Sequence, residues 1–549
     1  MGEIPTLTTQ IPQNFVQTIA KERGVTDAEL ETVFMALDGQ TTSAIATKLG
    51  ISDIAVRKRL GEVYKKFQIG GKGPGKLSEL RHQLLLSYHQ EIGLRDFSPT
   101  GKGSLSKMAI AHRQQDWGEA PDVTVFYGRT QELNTLKQWI VSDNCRLVAL
   151  LGLAGSGKTT LSVKLVSQIQ NEFDFVVWRS WRSHPTPQLF LTNLIQFFSH
   201  HQRTDLLPDN DNINGQIALL VEYLRQHRCL LIFDDFEAVL KPGELAGHYR
   251  PGWEEYRDLI VRISEVNHRS CLLVISAEEP TEIALLAGEK VRSFKPEVSQ
   301  EIAQNIFQEK GLSAQNSEWK ILLERYGGNL LAFKIVATTI QDFFEGNVGS
   351  FLEATALFIE EHISNLLAQQ LERMSTAETE ITYWLTIAET PVSLGTLRQE
   401  IFAKYSFSDL VKNLDSLSRR SLIEKIHQGT ETVFVLQPLM MKYVADRLVE
   451  KLKYEILETI KTQKIENMRL LKDYDFSINF AKKVGKYEAT SYILRMVKNR
   501  LQVLCQKTQG DEELLNILNK LASLLAEKST FEVGYVRENM ALIMAQTES

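Results

Sequence analysis

The sequence predicts a multidomain chain of the α/β plus all-α class. A doubly wound parallel-sheet domain carries a P-loop, is followed by a helical domain and a winged helix, and is preceded by a helix-turn-helix. Three observations predict it. From Val123 to about Lys295, short β-rich runs alternate with amphipathic helical stretches, the pattern of βα units. Within that span "GLAGSGKT", Gly152 to Thr159, stands between an apolar run and a helical one. Beyond about residue 296 strand signals nearly vanish, apart from "LIEKI" and "TVFVLQ" separated by "HQGTE".

The chain opens on short helices, assigned to residues 1–93. Asp27 begins a helix whose Leu30, Val33, Phe34 and Leu37 line one face, and Gly39 ends it. "TTSAIATKLG" is a second helix, "GIS" a tight turn, and Ser52 the N-cap of a third, "DIAVRKRLGEVYKKF". In that third helix Ile54 or Ala55, Leu60, Val63 and Phe67 can pack inward, which leaves Arg57, Lys58 and Arg59 near its N-terminal half. Across residues 48–81 nine Lys/Arg stand against three Asp/Glu, on a chain of net charge −6. A basic patch on an acidic chain suits an anionic partner. Residues 94–122 are polar, rich in Gly and Ser and without period, and read as a linker.

The sheet domain is assigned to 123–295, with strands in "RLVALLG", "FVVW", "CLLIFDD" and "CLLVIS". Before the third of these, Ile217, Leu220, Val221 and Leu224 share one helical face. A small helical domain follows over 296–360. Helices around 377–388 and 408–419, placed before the β pair, give a winged helix over 361–450, and 451–549 reads as a helical arm.

Composition excludes several classes. At 549 residues the chain exceeds what one hydrophobic core organises. No apolar run approaches the ~20 residues of a membrane span, and the N-terminus lacks a secretory pattern. Cys145, Cys229, Cys271 and Cys505 lie far apart, as reduced buried thiols do, so the expected compartment is cytoplasmic.

The chemistry resides in "GLAGSGKT", which fits G-x-x-x-x-G-K-[ST]. Gly152, Gly155 and Gly157 leave room for backbone N–H groups to wrap phosphates at a helix N-terminus, with Ser156 and Thr160 in the same cradle. Lys158 offsets phosphate charge, and the Thr159 hydroxyl is a candidate Mg²⁺ ligand. "CLLIFDDFE" ends in Asp234, placed to hold Mg²⁺ through water, and Asp235, placed to polarise an attacking water. The expected ligands are ATP or ADP with Mg²⁺.

"VFYGRTQELNTLKQWI", "GLAGSGKTT", "FDFVVWRSW", "CLLIFDDFE" and "ERYGGNLLAFKIVA" occur in an order that resembles the NB-ARC branch of the STAND ATPases, over about residues 123–450. Large cyanobacterial members are the most similar. The resemblance implies a nucleotide switch in which Tyr127, Gly128 and Arg129 border the adenine, Leu330 in "GGNLLA" lies where a small helical domain closes over the base, and Gln437 in "VLQPLMMKYV" reaches the β-phosphate. Three departures bear on turnover. Ala277 in "VISAEEP" replaces the usual γ-phosphate arginine, Leu330 replaces a proline, and Gln437-Pro438 stands where many relatives have His-Asp, although the similar cyanobacterial members also carry Gln-Pro. A missing cation at the γ-phosphate removes charge stabilisation of transfer, so the expected activity is at most a slow ATPase.

The stretch over 25–70 is similar to the helix-turn-helix of LuxR-type response regulators. That resemblance implies duplex DNA as partner, with Lys48, Arg57 and Lys65 on phosphates, Asp53 and Arg57 on bases, and Lys58 beside them. A protein-adaptor role for these helices stays open. The function expected is a signalling or transcription regulator gated by ADP/ATP and self-associating on activation. The alternative is a scaffold in a defence or cell-death-like response, with a separate sensor or effector protein as partner.

Overall fold

The computed structural model describes residues 13–37, 42–67, 69, 80, 84, 114–183, 185–199, 212–354, 358–401, 405–429, 431–476, 492–506, 511–526 and 528–545. The chain divides into two compact units, Met1–Ala109 and Ile110–Ser549.

The first unit contains α1 (Gln13–Glu22), α2 (Asp27–Leu37), α3 (Thr42–Leu49) and α4 (Asp53–Lys66). The Ser52 hydroxyl accepts the Ala55 N–H at 3.2 Å and sets the phase of α4. Leu60, Val63 and Phe67 pack inward as the sequence reading has them, and one position is corrected. Ile54 is 78% exposed, whereas Val56 is fully buried against Ala36, Ile45 and Ala46. Val56, Val63 and Phe67 therefore form the inward face. Gly39, expected to end α2, lies outside the described residues.

In the second unit a six-stranded parallel sheet has the order β1-β3-β4-β5-β2-β6. The strands are β1 (Gln114–Asp116), β2 (Leu147–Leu151), β3 (Phe175–Ser180), β4 (Cys229–Asp234), β5 (Cys271–Ser276) and β6 (Val291–Phe294). Alternate side chains enter different cores, as a sheet covered on both faces requires. Leu147, Val177, Leu231 and Val274 join one core with α7 (Pro187–Phe198), α8 (Ile213–Gln226) and α9 (Glu255–Glu265). Val148, Val176, Ile232 and Ile275 join the other with α5 (Thr130–Lys137) and α6 (Lys158–Ile169). Strand β1 lies inside the span read as linker: three polar residues carry no apolar signal, yet Gln114–Asp116 pair in register with Phe175–Val177.

After the sheet come α10 (Gln300–Glu309), α11 (Asn316–Tyr326), α12 (Leu330–Phe343), α13 (Glu361–Glu372), α14 (Thr376–Ala388) and α15 (Phe407–Arg419). A three-stranded antiparallel sheet, β7-β9-β8, packs with the last of these, using β7 (Val392–Ser393), β8 (Ile423–Gln428) and β9 (Glu431–Leu436). Then α16 (Pro438–Thr462) runs unbroken through the boundary expected at 450, since nothing between its proline start and Gln463 interrupts it. It packs on α17 (Tyr492–Gln506), which adjoins α18 (Asp511–Ala526) and α19 (Val536–Ala545). One hydrophobic core extends from Val298 to Ile543 and takes in Leu153 of the glycine-rich loop, so the three C-terminal segments share an interior. All four cysteines are buried and free, and no helix among the described residues is long and apolar enough to cross a membrane.

Candidate nucleotide site

Parallel strands present their C-terminal ends along one sheet edge, where ligands of such sheets bind. Strand order places β5 between β2 and β4. The end of β5, Ser276-Ala277, therefore lies between the glycine-rich loop after β2 and the acidic pair after β4.

The loop has the backbone of a phosphate cradle. Gly155 and Gly157 take φ of 84° and 83°, conformations that other residues rarely adopt. A Cβ at Gly155 would lie 2.8 Å from Asn329 Oδ1, and one at Gly157 would lie 2.9 Å from Leu330 Cδ2. The Lys158 ammonium donates to the carbonyls of Gly152 at 2.7 Å and Leu153 at 3.1 Å. Burial lowers its pKa, while the carboxylates of Glu237, Asp234 and Asp235 act to raise it. The Ser156 hydroxyl is buried without a hydrogen-bond partner. A buried cation, a hydroxyl with nothing to bond and left-handed glycines suit an anion with several oxygens. The residues present thus fit a nucleotide's phosphates.

Arg129 is buried beneath the loop and donates to the carbonyls of Ser156 at 2.6 Å and Gly157 at 3.2 Å. Burial lowers its pKa, with Glu132 opposing. Its hydrogen bonds hold the loop from behind, a bracing role in addition to the adenine border that resemblance implied.

On the acidic side, Thr159 Oγ1 donates to Asp234 Oδ1 at 3.1 Å, and the Asp235 N–H reaches the same oxygen at 3.0 Å. Burial, then the neighbouring Asp235 charge, pushes the Asp234 carboxyl up to about 7. A divalent cation held by Thr159 and Asp234 would favour the ionised form. Asp235 takes a left-handed backbone, φ 55°, and its Oδ2 accepts from Arg182 Nε at 2.6 Å. Glu237 accepts the Ala277 N–H at 3.0 Å and the Ser276 hydroxyl at 3.2 Å, which ties the end of β5 to the acidic corner. Ala277 itself is buried and brings no charge.

The helical region closes directly on the loop. Asn329 caps α12 by accepting the Ala332 N–H, while its amide donates to the Ala154 carbonyl at 3.0 Å. The Leu331 N–H donates to the Gly155 carbonyl, also at 3.0 Å. A cavity of about 540 Å³ remains, lined by Lys158, Thr159, Thr160, Asp234 and Asp235 below and by Leu330, Leu331 and Lys334 above. That volume falls in the range of nucleotide-sized pockets.

Other expected residues lie elsewhere. Gln437 does not line this cavity; its amide donates to Glu424, and the adjacent Pro438 packs on Gly327. The Tyr127 ring carries the Lys334 ammonium 5.3 Å from its centroid, and Gly128 is close-packed on Ile302. In the N-terminal unit Lys48, Arg57 and Lys58 are exposed, Asp53 is half-buried, and Lys65 pairs with Glu62. Arg59 instead donates to the Ala28 carbonyl. Sequence reasoning missed Asn329, Glu237, Arg182 and Lys334. Asn329 carried a local signal, an N-cap residue ahead of an apolar run.

Known proteins share parts of this chain. An uncharacterised WD repeat-containing protein of Nostoc sp. is 42% identical over 365 residues, 64% of this chain and 28% of that one. The chain thus spans just over a quarter of that relative's length. Among solved structures, the Walker-type ATPase of Pyrococcus abyssi superposes with a TM-score of 0.38 at 14% identity, covering 58% of this chain and 96% of that one. A signal transduction ATPase with numerous domains (STAND) protein with a tetratricopeptide repeat sensor, from Pyrococcus horikoshii, gives 0.31 at 18%, covering 79% and 58%. Residues 129–241, which run from the arginine beneath the glycine-rich loop to just past the acidic pair, match the NB-ARC domain.

Proposed function

We propose that this chain is a nucleotide-gated switch of the STAND class, acting in the cytoplasm as a signalling or transcription regulator. One observation carries the reading: the N-terminus of α12 is hydrogen-bonded to the phosphate cradle through Asn329 and Leu331. Whatever occupies the loop then biases the position of the helical region. Lys158, the loop amides and Arg129 hold and shape the phosphate end; Thr159 and Asp234 would hold Mg²⁺, which would supply positive charge to offset that of the phosphates. Ala277 brings no charge to the end of β5, so the site retains nucleotide and turns it over slowly. Opening of the helical region frees surfaces for self-association.

The test is to denature purified protein and identify the nucleotide released. Stoichiometric ADP supports a closed switch, and a turnover of tens per second, ordinary enzyme speed, rejects it.

The N-terminal helices are assigned to duplex DNA. The exposed Arg57 and Lys58 on α4, with Ile54 protruding beside them, favour that reading over the adaptor role. Residues 1–95 should then bind duplex DNA with an affinity that falls linearly in log salt, and R57A/K58A should flatten that slope by about one unit per lost phosphate contact. The full chain should bind more tightly when self-associated. Salt-independent or absent binding in fluorescence anisotropy returns these helices to the adaptor role.

A further inference from the structure

We propose that Arg182 distinguishes ATP from ADP in this site; the inference rests on the nucleotide-binding reading above. Among the described residues, three cations line the cavity: Lys158, Arg182 and Lys334. Lys158 is buried on the carbonyls of Gly152 and Leu153, and Lys334 stands over the Tyr127 ring. Arg182 alone of the three has a side chain 78% exposed, free to swing.

Its place in the site selects the ligand group it meets. A chain of contacts runs from Arg182 to Asp235 Oδ2, from the Asp235 N–H to Asp234 Oδ1, and from that oxygen to the Thr159 hydroxyl. Thr159 and Asp234 are the candidate Mg²⁺ ligands, and the metal would offset charge at the phosphate end of a bound nucleotide. A cation on that corner meets the terminal phosphate rather than the base. The register supports this: Ser180 lies opposite Asp234 across the β3–β4 pair, so the residues just after β3 emerge beside the acidic pair.

The Arg182–Asp235 pair is exposed on the arginine side, and exposed pairs are held weakly. A terminal phosphate carries more charge than one carboxylate and offers several oxygens for a bidentate guanidinium. With ATP, Arg182 leaves Asp235 for the phosphate and the Asp235 carboxylate is released; with ADP, the pair stays closed. The two nucleotides thus produce two arrangements of one ion pair.

The full-length chain tests this by calorimetric titration with Mg-ADP and with a non-hydrolysable Mg-ATP analogue. Arg182→Gln should weaken the ATP analogue by about tenfold, the loss of one charge-assisted contact, and leave ADP within about twofold. Arg182→Lys should recover part of the difference. Equal weakening of both nucleotides, or no change in either, overturns the inference while leaving the nucleotide site intact. If the unaltered protein binds neither nucleotide after endogenous ligand is stripped, the site reading falls and this inference falls with it.

Discussion

Arg420, at the end of α15, donates through Nη1 to Glu278 Oε2 at 2.5 Å, with both side chains 1% exposed. The same guanidinium donates to Glu378 Oε1 at 3.0 Å and to the Glu244 carbonyl, while Arg373 joins Glu278 Oε2 at 2.7 Å. Glu278 immediately follows Ala277, so the strand end beside the phosphate cradle is clamped to the C-terminal helices by buried charge. Removing one partner of such a pair strands the others. Arg420→Ala should therefore cost about 3 kcal/mol and lower the melting temperature, with the double variant Glu278→Ala/Arg420→Ala costing less than the sum. Strict additivity in thermal melts would show that the two residues do not share one interaction.

Lys158→Ala should abolish stable nucleotide binding. A ligand held at a hundredfold excess over Kd stabilises the native state by about 2.7 kcal/mol, so the variant should also lose the rise in melting temperature that ADP produces. Full nucleotide content with an unchanged melting curve would remove the phosphate-cradle assignment.

The contact between α12 and the loop predicts a kinetic effect. Asn329→Ala removes both the cap on α12 and the bond to Ala154, at a cost of about 1 kcal/mol. Gly155→Ala forces a Cβ to 2.8 Å from Asn329 Oδ1 in a left-handed conformation. Both variants should release a fluorescent ADP analogue faster in stopped flow, Gly155→Ala more so. Unchanged release rates would mean that this contact does not retain the nucleotide.

His268 predicts an acid sensitivity unrelated to the nucleotide. Its ring is buried with Nε2 at 2.9 Å from the Ile263 carbonyl, and burial, with the Arg146 charge nearby, lowers its pKa below the usual 6.5. The unfolded chain therefore binds a proton that the native state resists. Stability should fall as pH drops below about 6.5, by at most about 1.4 kcal/mol per pH unit from this residue, until the native value is passed. His268→Gln should flatten that part of the curve in melting experiments across pH 5 to pH 7, and an unchanged slope would assign the acid sensitivity elsewhere.

Asp235→Asn should lower whatever turnover exists, because it removes the carboxylate placed to polarise water. Phosphate release at the unaltered rate would take Asp235 out of that role.

What the sequence determined by itself was local and contiguous. "GLAGSGKT" carries its chemistry in eight successive residues, because the glycines, lysine and threonine act on one ligand through backbone geometry that the spacing specifies. The alternating cores of β2 to β5 were likewise legible, since buried parallel strands need continuous apolar runs. Tertiary structure decided the rest. Packing against Ala36, Ile45 and Ala46 buried Val56 and left Ile54 exposed, a choice between neighbouring apolar positions that the pattern left open. Gln437 turned to Glu424 instead of the cradle because β8 lies beside it. Arg182 met Asp235 through strand order, and Glu278 met Arg420 through the packing of α15, residues 142 positions apart. Such pairs leave no periodic trace in a single chain. Their partners are set by which elements share a core, and that is settled by the burial of apolar surface over hundreds of residues.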